Sequence, residues 1–228
     1  MTTSVRVKRH GLRRWTTIAA GLLLASSAGR AEEARPAAKG GCEHCHHGDG
    51  PGDTPSKGEA RGSGASYARS ERTYAVPDVT LVDDGSRPVR LREALAADEP
   101  VMLNFIFTTC TAICPVMTGI FARVPRELGS EAGRLRLISI SIDPEQDTPA
   151  RLRAYAERFG AGPRWSFLTG RIQDVEAVER AFDAYRGDKM NHEPVTLLRA
   201  GPGSPWIRLD GFASPADLAR EYEKVASR

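Results

Sequence analysis

Little in this chain invites a nucleic acid. Its 32 basic and 29 acidic residues leave a net charge of +3. Five of the basic residues, Arg6, Lys8, Arg9, Arg13 and Arg14, crowd the first 14 positions with no acid among them. The remainder of the chain is near neutral, so there is no basic field to hold a polyanion. Long apolar runs are missing too. Trp15 to Ala28 has the length of an export-signal core and is too short to span a bilayer comfortably. Small residues come next, with Ser26-Ser27-Ala28 and Gly29-Arg30-Ala31 as cleavage sites, so residues 1–31 read as a signal peptide or a short inner-membrane anchor. Arg13-Arg14 matches a twin-arginine signal poorly, because Trp15, Thr16 and Thr17 come directly after it. Residues 32–72 lack large apolar side chains, with Tyr67 their only aromatic. Such a stretch cannot bury enough surface to offset chain entropy and reads as a flexible tether.

Cysteine and histidine are also few, which makes their placement informative. Export puts the four cysteines in an oxidising, periplasm-like space, where even-numbered cysteines form disulfides or metal sites. Of five histidines, His10 lies in the signal, His44, His46 and His47 in the tether, and His192 alone in the rest.

From Thr73 to Arg228 the chain reads as one globular domain. Strand-like Val79–Val82 precedes a turn at Asp83-Asp84-Gly85 and a short helix over Leu91–Ala97. Strand Val101–Phe107 leads through a cysteine loop into a helix from Pro115 to Leu128, which Pro125 is expected to kink or end early. Strand Leu135–Ile142, helix Thr148–Phe159, strand Trp165–Leu168 and helix Asp174–Tyr185 come next. Pro194–Leu198 and Trp206–Leu209 read as paired strands around a Gly/Pro turn, and Ser214 caps a last helix to Val225. Strand–helix–strand with a terminal hairpin and helix is the layout of a three-layer α/β sandwich. No internal repeat is apparent.

The densest chemistry is Thr109-Cys110-Thr111-Ala112-Ile113-Cys114-Pro115-Val116, in a strand-to-helix connection. Pro115 suits a helix's first turn, and the positive end of the helix dipole favours a thiolate there. The C-x-x-x-C spacing allows either a disulfide or a clamp on one small soft ion. His192, in a loop before a strand, reads by itself as a solvated or hydrogen-bonded polar residue. A thioredoxin-like topology would bring it beside Cys110 and Cys114.

Thr108 to Pro115, then Ser139-Ile140-Ser141-Ile142-Asp143-Pro144-Glu145-Gln146-Asp147-Thr148-Pro149, then a histidine before the last hairpin: this ordered set strongly resembles the Sco/SenC proteins. The resemblance covers residues 73–228. It implies a thioredoxin fold, with a central mixed sheet flanked by helices, and one copper ion held by Cys110, Cys114 and His192. It further implies copper delivery to the copper A site of cytochrome c oxidase subunit II, or reduction of that site's thiols. Another periplasmic cuproprotein is the alternative recipient, and a copper donor protein is a further partner. The ligand chemistry agrees: thiolates favour Cu(I), and imidazole suits Cu(I) and Cu(II). The elaborated turn after His192, Glu193 to Trp206, departs from the shorter hairpin of many relatives, which bears on the partner rather than the ligands.

Asp143 reads equally as a partner contact or as a turn-former ahead of a helix cap at Asp147 or Thr148. Met117 and Met190 read as core residues rather than copper thioethers, and Trp165 and Trp206 as packing residues. In the tether, Cys42-Glu43-His44-Cys45-His46-His47 contains the haem c attachment pattern Cys42-x-x-Cys45-His46. No apolar pocket surrounds it, so auxiliary copper capture by Cys42, His44, Cys45, His46 and His47 is preferred over haem, with an inert or disulfide-closed pair behind both. Two functions remain: a copper metallochaperone, and a thiol–disulfide oxidoreductase acting through Cys110 and Cys114. A peroxiredoxin-like peroxidase ranks behind both.

Overall fold

The structure, a computed structural model, describes residues 66–227. The tether cluster Cys42–His47 and the signal lie outside the described residues. In chain order the strands are β1 (Tyr67–Arg72), β2 (Thr80–Asp83), β3 (Pro88–Arg90), β4 (Val101–Ile106), β5 (Arg136–Ser141), β6 (Trp165–Thr169), β7 (Val195–Arg199) and β8 (Trp206–Gly211). The helices are α1 (Leu91–Leu95), α2 (Ile113–Leu128), α3 (Pro149–Arg158), α4 (Ile172–Ala181) and α5 (Pro215–Ala226). Among the described residues no helix is long and apolar enough to cross a membrane.

All strands join one mixed sheet ordered β1-β8-β7-β4-β5-β6-β2-β3. β5 lies parallel to β4 and β6, whereas β7 runs antiparallel to the other side of β4. Every residue of β4 is buried, as expected of a strand covered on both faces. Its alternate residues feed two cores. Met102 and Ile106 meet Phe121, Leu152 and Tyr222, from α2, α3 and α5. Leu103 and Phe105 meet Leu91, Val175 and Val178, from α1 and α4. Helices therefore cover both faces of the sheet, giving the expected three layers.

Three expectations need correction. The expected tether runs to residue 72, but Tyr67–Arg72 is an edge strand paired antiparallel with β8 from Tyr67↔Gly211 to Arg72↔Trp206. Its sequence, Tyr-Ala-Arg-Ser-Glu-Arg, carries no apolar alternation, because main-chain pairing and charge hold it instead. Arg69 Nε lies 2.8 Å from Glu221 on α5, a carboxylate only 1% exposed, which Lys224 also meets at 2.8 Å. Although burial opposes ionisation, these two cations hold the Glu221 carboxyl below its usual range. Gly211 permits the approach: its φ is +109°, and a Cβ there would sit 2.6 Å from the Ser66 carbonyl oxygen.

The second correction concerns α2, which neither ends early nor stops at Pro125. Phe121, Val124 and Leu128 are buried along one face, and this packing outweighs the hydrogen bond that the proline removes. The third concerns Met190, expected in the core but 71% exposed on a one-turn 3₁₀ segment over Lys189–Asn191. The Asp188 carboxylate fixes that turn by accepting from the Met190 amide at 2.9 Å. Met117, Trp165 and Trp206 are buried as expected.

A chain beginning at Thr73 should be less stable than one beginning at Ser66 by at least about 2 kcal/mol, since it exposes the β8 edge and removes one partner of a buried ion pair. Urea unfolding midpoints check this; equal midpoints would contradict a structural role for β1.

Candidate functional site

The cysteine loop hangs between the end of β4 and the start of α2. The N-cap position is Ala112, which offers no side-chain acceptor to the helix's free amides. Pro115 removes one of those donors by having none. Sulfur takes the place of the missing cap: the Cys114 amide donates to Cys110 Sγ at 3.4 Å. Burial opposes the Cys110 thiolate, but the amides of Cys114, Ala112 and Ile113 outweigh it and hold the thiol pKa below its ordinary value. Cys110 is half-buried, and both thiols are free.

Cys114 differs in burial and in the direction of its pKa shift. It is fully buried in the core formed with α2 and α5. Its sulfur accepts from the Phe107 amide at 3.4 Å, but burial still pushes its pKa far up. Behind it, Thr118 donates to the Cys114 carbonyl at 2.8 Å and meets Tyr155 Oη at 2.8 Å. The pair is thus asymmetric, with an accessible, activated Cys110 and a protected Cys114.

A buried carboxylate that sequence reading assigns only to a helix cap sets the loop's position. Asp147 is fully buried and accepts from the Thr108 amide at 3.0 Å, Thr108 Oγ1 at 2.5 Å and Ser141 Oγ at 2.6 Å. The N-cap of α3 is Thr148, whose hydroxyl accepts from the Arg151 amide. Asp143 is 5% exposed and paired with Lys189 at 2.6 Å. It therefore ties the 188–192 turn to the end of β5 rather than standing free at the surface. The turn signal in Asp143–Thr148 is visible in the sequence; the long-range partners of Asp143 and Asp147 are not.

His192 is 6% exposed. Its Nε2 lies 3.0 Å from the Phe105 carbonyl oxygen. A carbonyl only accepts, so Nε2 carries the proton and the lone pair is on Nδ1. Burial lowers the imidazole pKa, against the opposing pull of that carbonyl, and favours the neutral form that can bind a metal. Phe107 connects the two halves of the site: its amide meets Cys114, and its ring stands edge-on to the His192 ring with centroids 6.5 Å apart. The structure brings the two cysteines together and places the imidazole nearby. Among the described residues no three His, Cys, Asp or Glu side chains converge closely enough to hold a metal ion. Two thiols and a neutral imidazole nevertheless form a donor set that suits copper.

A profile of the SCO1/SenC family matches residues 68–227. The chain belongs to that family. It is 33% identical over 124 residues to the SCO1 protein homolog of Bacillus subtilis, covering 54% of this chain and 63% of that protein. A protein of Stutzerimonas stutzeri named for copper binding is 32% identical over 114 residues, covering 48% of this chain and 52% of that one. These alignments thus span about half to two thirds of the relatives' own lengths. The solved structure of BsSco, described as having a disulfide switch and as a member of the Sco family of cytochrome c oxidase assembly proteins, superposes with a TM-score of 0.60 at 28% identity, covering 69% of this chain and 96% of that one. The thioredoxin-like fold is shared.

Iodoacetamide should label Cys110 at least about ten-fold faster than Cys114 in the folded protein, with the Cys110 rate levelling off below the usual free-thiol pKa of about 8.5. Mass spectrometry of peptides quenched across a pH series reads both rates. Equal labelling, or faster Cys114, would refute the asymmetry.

Proposed function

We propose that this protein is an exported copper metallochaperone, periplasmic or held at the inner membrane, that serves maturation of the copper A site of cytochrome c oxidase subunit II or of another exported cuproprotein. The observation that carries this reading is the placement of the sole histidine among the described residues, kept neutral by burial, against the same Phe107 whose amide meets Cys114. Cys110, Cys114 and His192 would hold the ion, which is cargo rather than a resident cofactor. Both thiols lose their protons on binding, and the amides at the start of α2 ease that loss for Cys110. Histidine Nδ1 is the nitrogen free to take part, and seating it beside the sulfurs requires the 188–192 turn to adjust. Copper A assembly is what the family resemblance implies, and the description of BsSco supports it.

The pair's asymmetry favours a second activity, thiol–disulfide exchange. The Cys110 thiolate would attack a partner disulfide, forming a mixed disulfide and releasing one partner thiolate. Cys114 would then displace the other, leaving a Cys110–Cys114 disulfide and a dithiol in the partner, a two-electron reduction. That reaction needs no imidazole, which separates the two readings.

The domain beginning at Ser66 is expected to bind about one copper, and His192→Ala to abolish or greatly weaken that binding. Titration of Cu(I) and Cu(II) against a competing chelator measures it; undiminished affinity in the variant would remove His192 from the ligand set. For the Cys42–His47 cluster, the full chain is expected to bind additional copper and to show no covalent haem absorbance when co-expressed with a periplasmic haem-attachment system. Haem absorbance abolished by Cys42→Ala would reverse that assignment.

A further inference from the structure

On α4 the buried stripe runs Val175 and Val178 and continues to Phe182 at the C-cap, the spacing of one helical face. Position 179 belongs to the same stripe, where an apolar residue is expected, and it is glutamate. Glu179 is only 7% exposed, and no hydrogen bond or ion pair reaches its carboxylate from any described residue. Burial, reinforced by the nearby Glu176 charge, pushes its pKa up to about 7. An unpartnered buried carboxyl costs several kcal/mol as an ion, so its retention at a core position calls for a reason.

The carboxyl is not sealed in. It lines a cleft of about 460 Å³ whose other walls include Ile142, Asp143, Val175, Lys189 and His192. The cations of that region are already engaged. Lys189 holds Asp143 at 2.6 Å and Arg186 holds Glu193 at 2.8 Å. Arg180, next to Glu179 in sequence, turns to Glu176 at 3.4 Å and stacks over the Tyr185 ring at 3.6 Å. Five acids, Asp143, Glu145, Glu176, Glu179 and Asp188, face the cleft against two cations, Arg186 and Lys189, and Ile142 and Val175 supply apolar wall beside Glu179. An acid set among aliphatic walls matches a side chain with an apolar stem and a cationic fork at its tip.

We propose that this cleft receives an arginine side chain from the protein with which the domain exchanges copper, with Glu179 as the carboxylate that pairs with the guanidinium. The assignment of the partner rests on the copper-carrier reading above, because His192 and Asp143 form part of the same wall. A planar guanidinium can make two parallel hydrogen bonds to one carboxylate, which a lysine ammonium cannot. Docked there, the arginine sits against the turn that carries His192. Partner recognition and the copper loop are then joined through Lys189, Asp143 and His192.

The test uses the full chain and N-acetyl-L-arginine methylamide as probe, with amide chemical shifts followed by NMR at millimolar probe concentrations. Amides of residues 142–145, 175–179 and 186–192 are expected to shift saturably. Glu179→Gln is expected to weaken binding at least about ten-fold. The citrulline analogue, the same shape without the charge, is expected not to bind wild-type protein, a control that does not depend on the variant's folding. Binding of citrulline comparable to arginine, unchanged affinity in Glu179→Gln, or no shifts in the cleft would each overturn the proposal. Copper loading of the same wild-type sample is measured separately. A protein that takes the arginine probe but no copper would overturn the copper-carrier reading and the assigned partner, while the arginine site itself stands on the probe.

Discussion

The cysteine loop depends on one buried carboxylate. Asp147 gathers the Thr108 amide, the Thr108 hydroxyl and the Ser141 hydroxyl, so the strand ends that deliver the loop are tied to the segment leading into α3. Without that strut the connection from Phe107 to Ala112 has few internal restraints: the Cys110 amide returns to the Phe107 carbonyl, and the helix beyond lacks a side-chain cap. A fully buried acid is costly unless its acceptor positions are filled, and here they are. Strut and uncapped helix act together. One fixes where α2 begins, and the other leaves its first amides for sulfur.

The difference between the two thiols has the same origin. Backbone donors converge on Cys110, whereas Cys114 is surrounded by core and has a single amide donor at 3.4 Å. Identical side chains four residues apart therefore have opposite proton affinities. In the exchange proposed above, Cys110 would be the thiol to open the reaction and Cys114 the one to complete it.

Most of the architecture is legible in periodicity. The continuous apolar run of β4, the alternation in β5 and the Ser214 cap are local signals, and each element forms where its residues place it. The features that escape a sequence reading are non-local. β1 has no apolar alternation because an edge strand has only one neighbour, and besides Tyr67 packing against the core its stabilisation comes from main-chain bonds and from Glu221 on α5. The route of Asp143 to Lys189, 46 residues away, and of Asp147 to Thr108, 39 residues away, leaves no mark in either local sequence. For the site, Cys110 and Cys114 stand out by spacing and His192 by scarcity. Met190 is misplaced by its hydropathy, which says nothing about a turn whose geometry Asp188 dictates.

The register of the sheet has a directional consequence. β1 pairs antiparallel with β8, β8 with β7 and β7 with β4, so Tyr67, Gly211, Val195 and the C-terminal end of β4 occupy the same end of the sheet. The cysteine loop and His192 emerge at that end. Ser66, which leads into β1, therefore lies at the end of the sheet from which the cysteine loop and His192 emerge, three strand spacings or about 14 Å across. The point where the chain enters β1 and the loops that carry Cys110 and His192 thus share one end of the sheet.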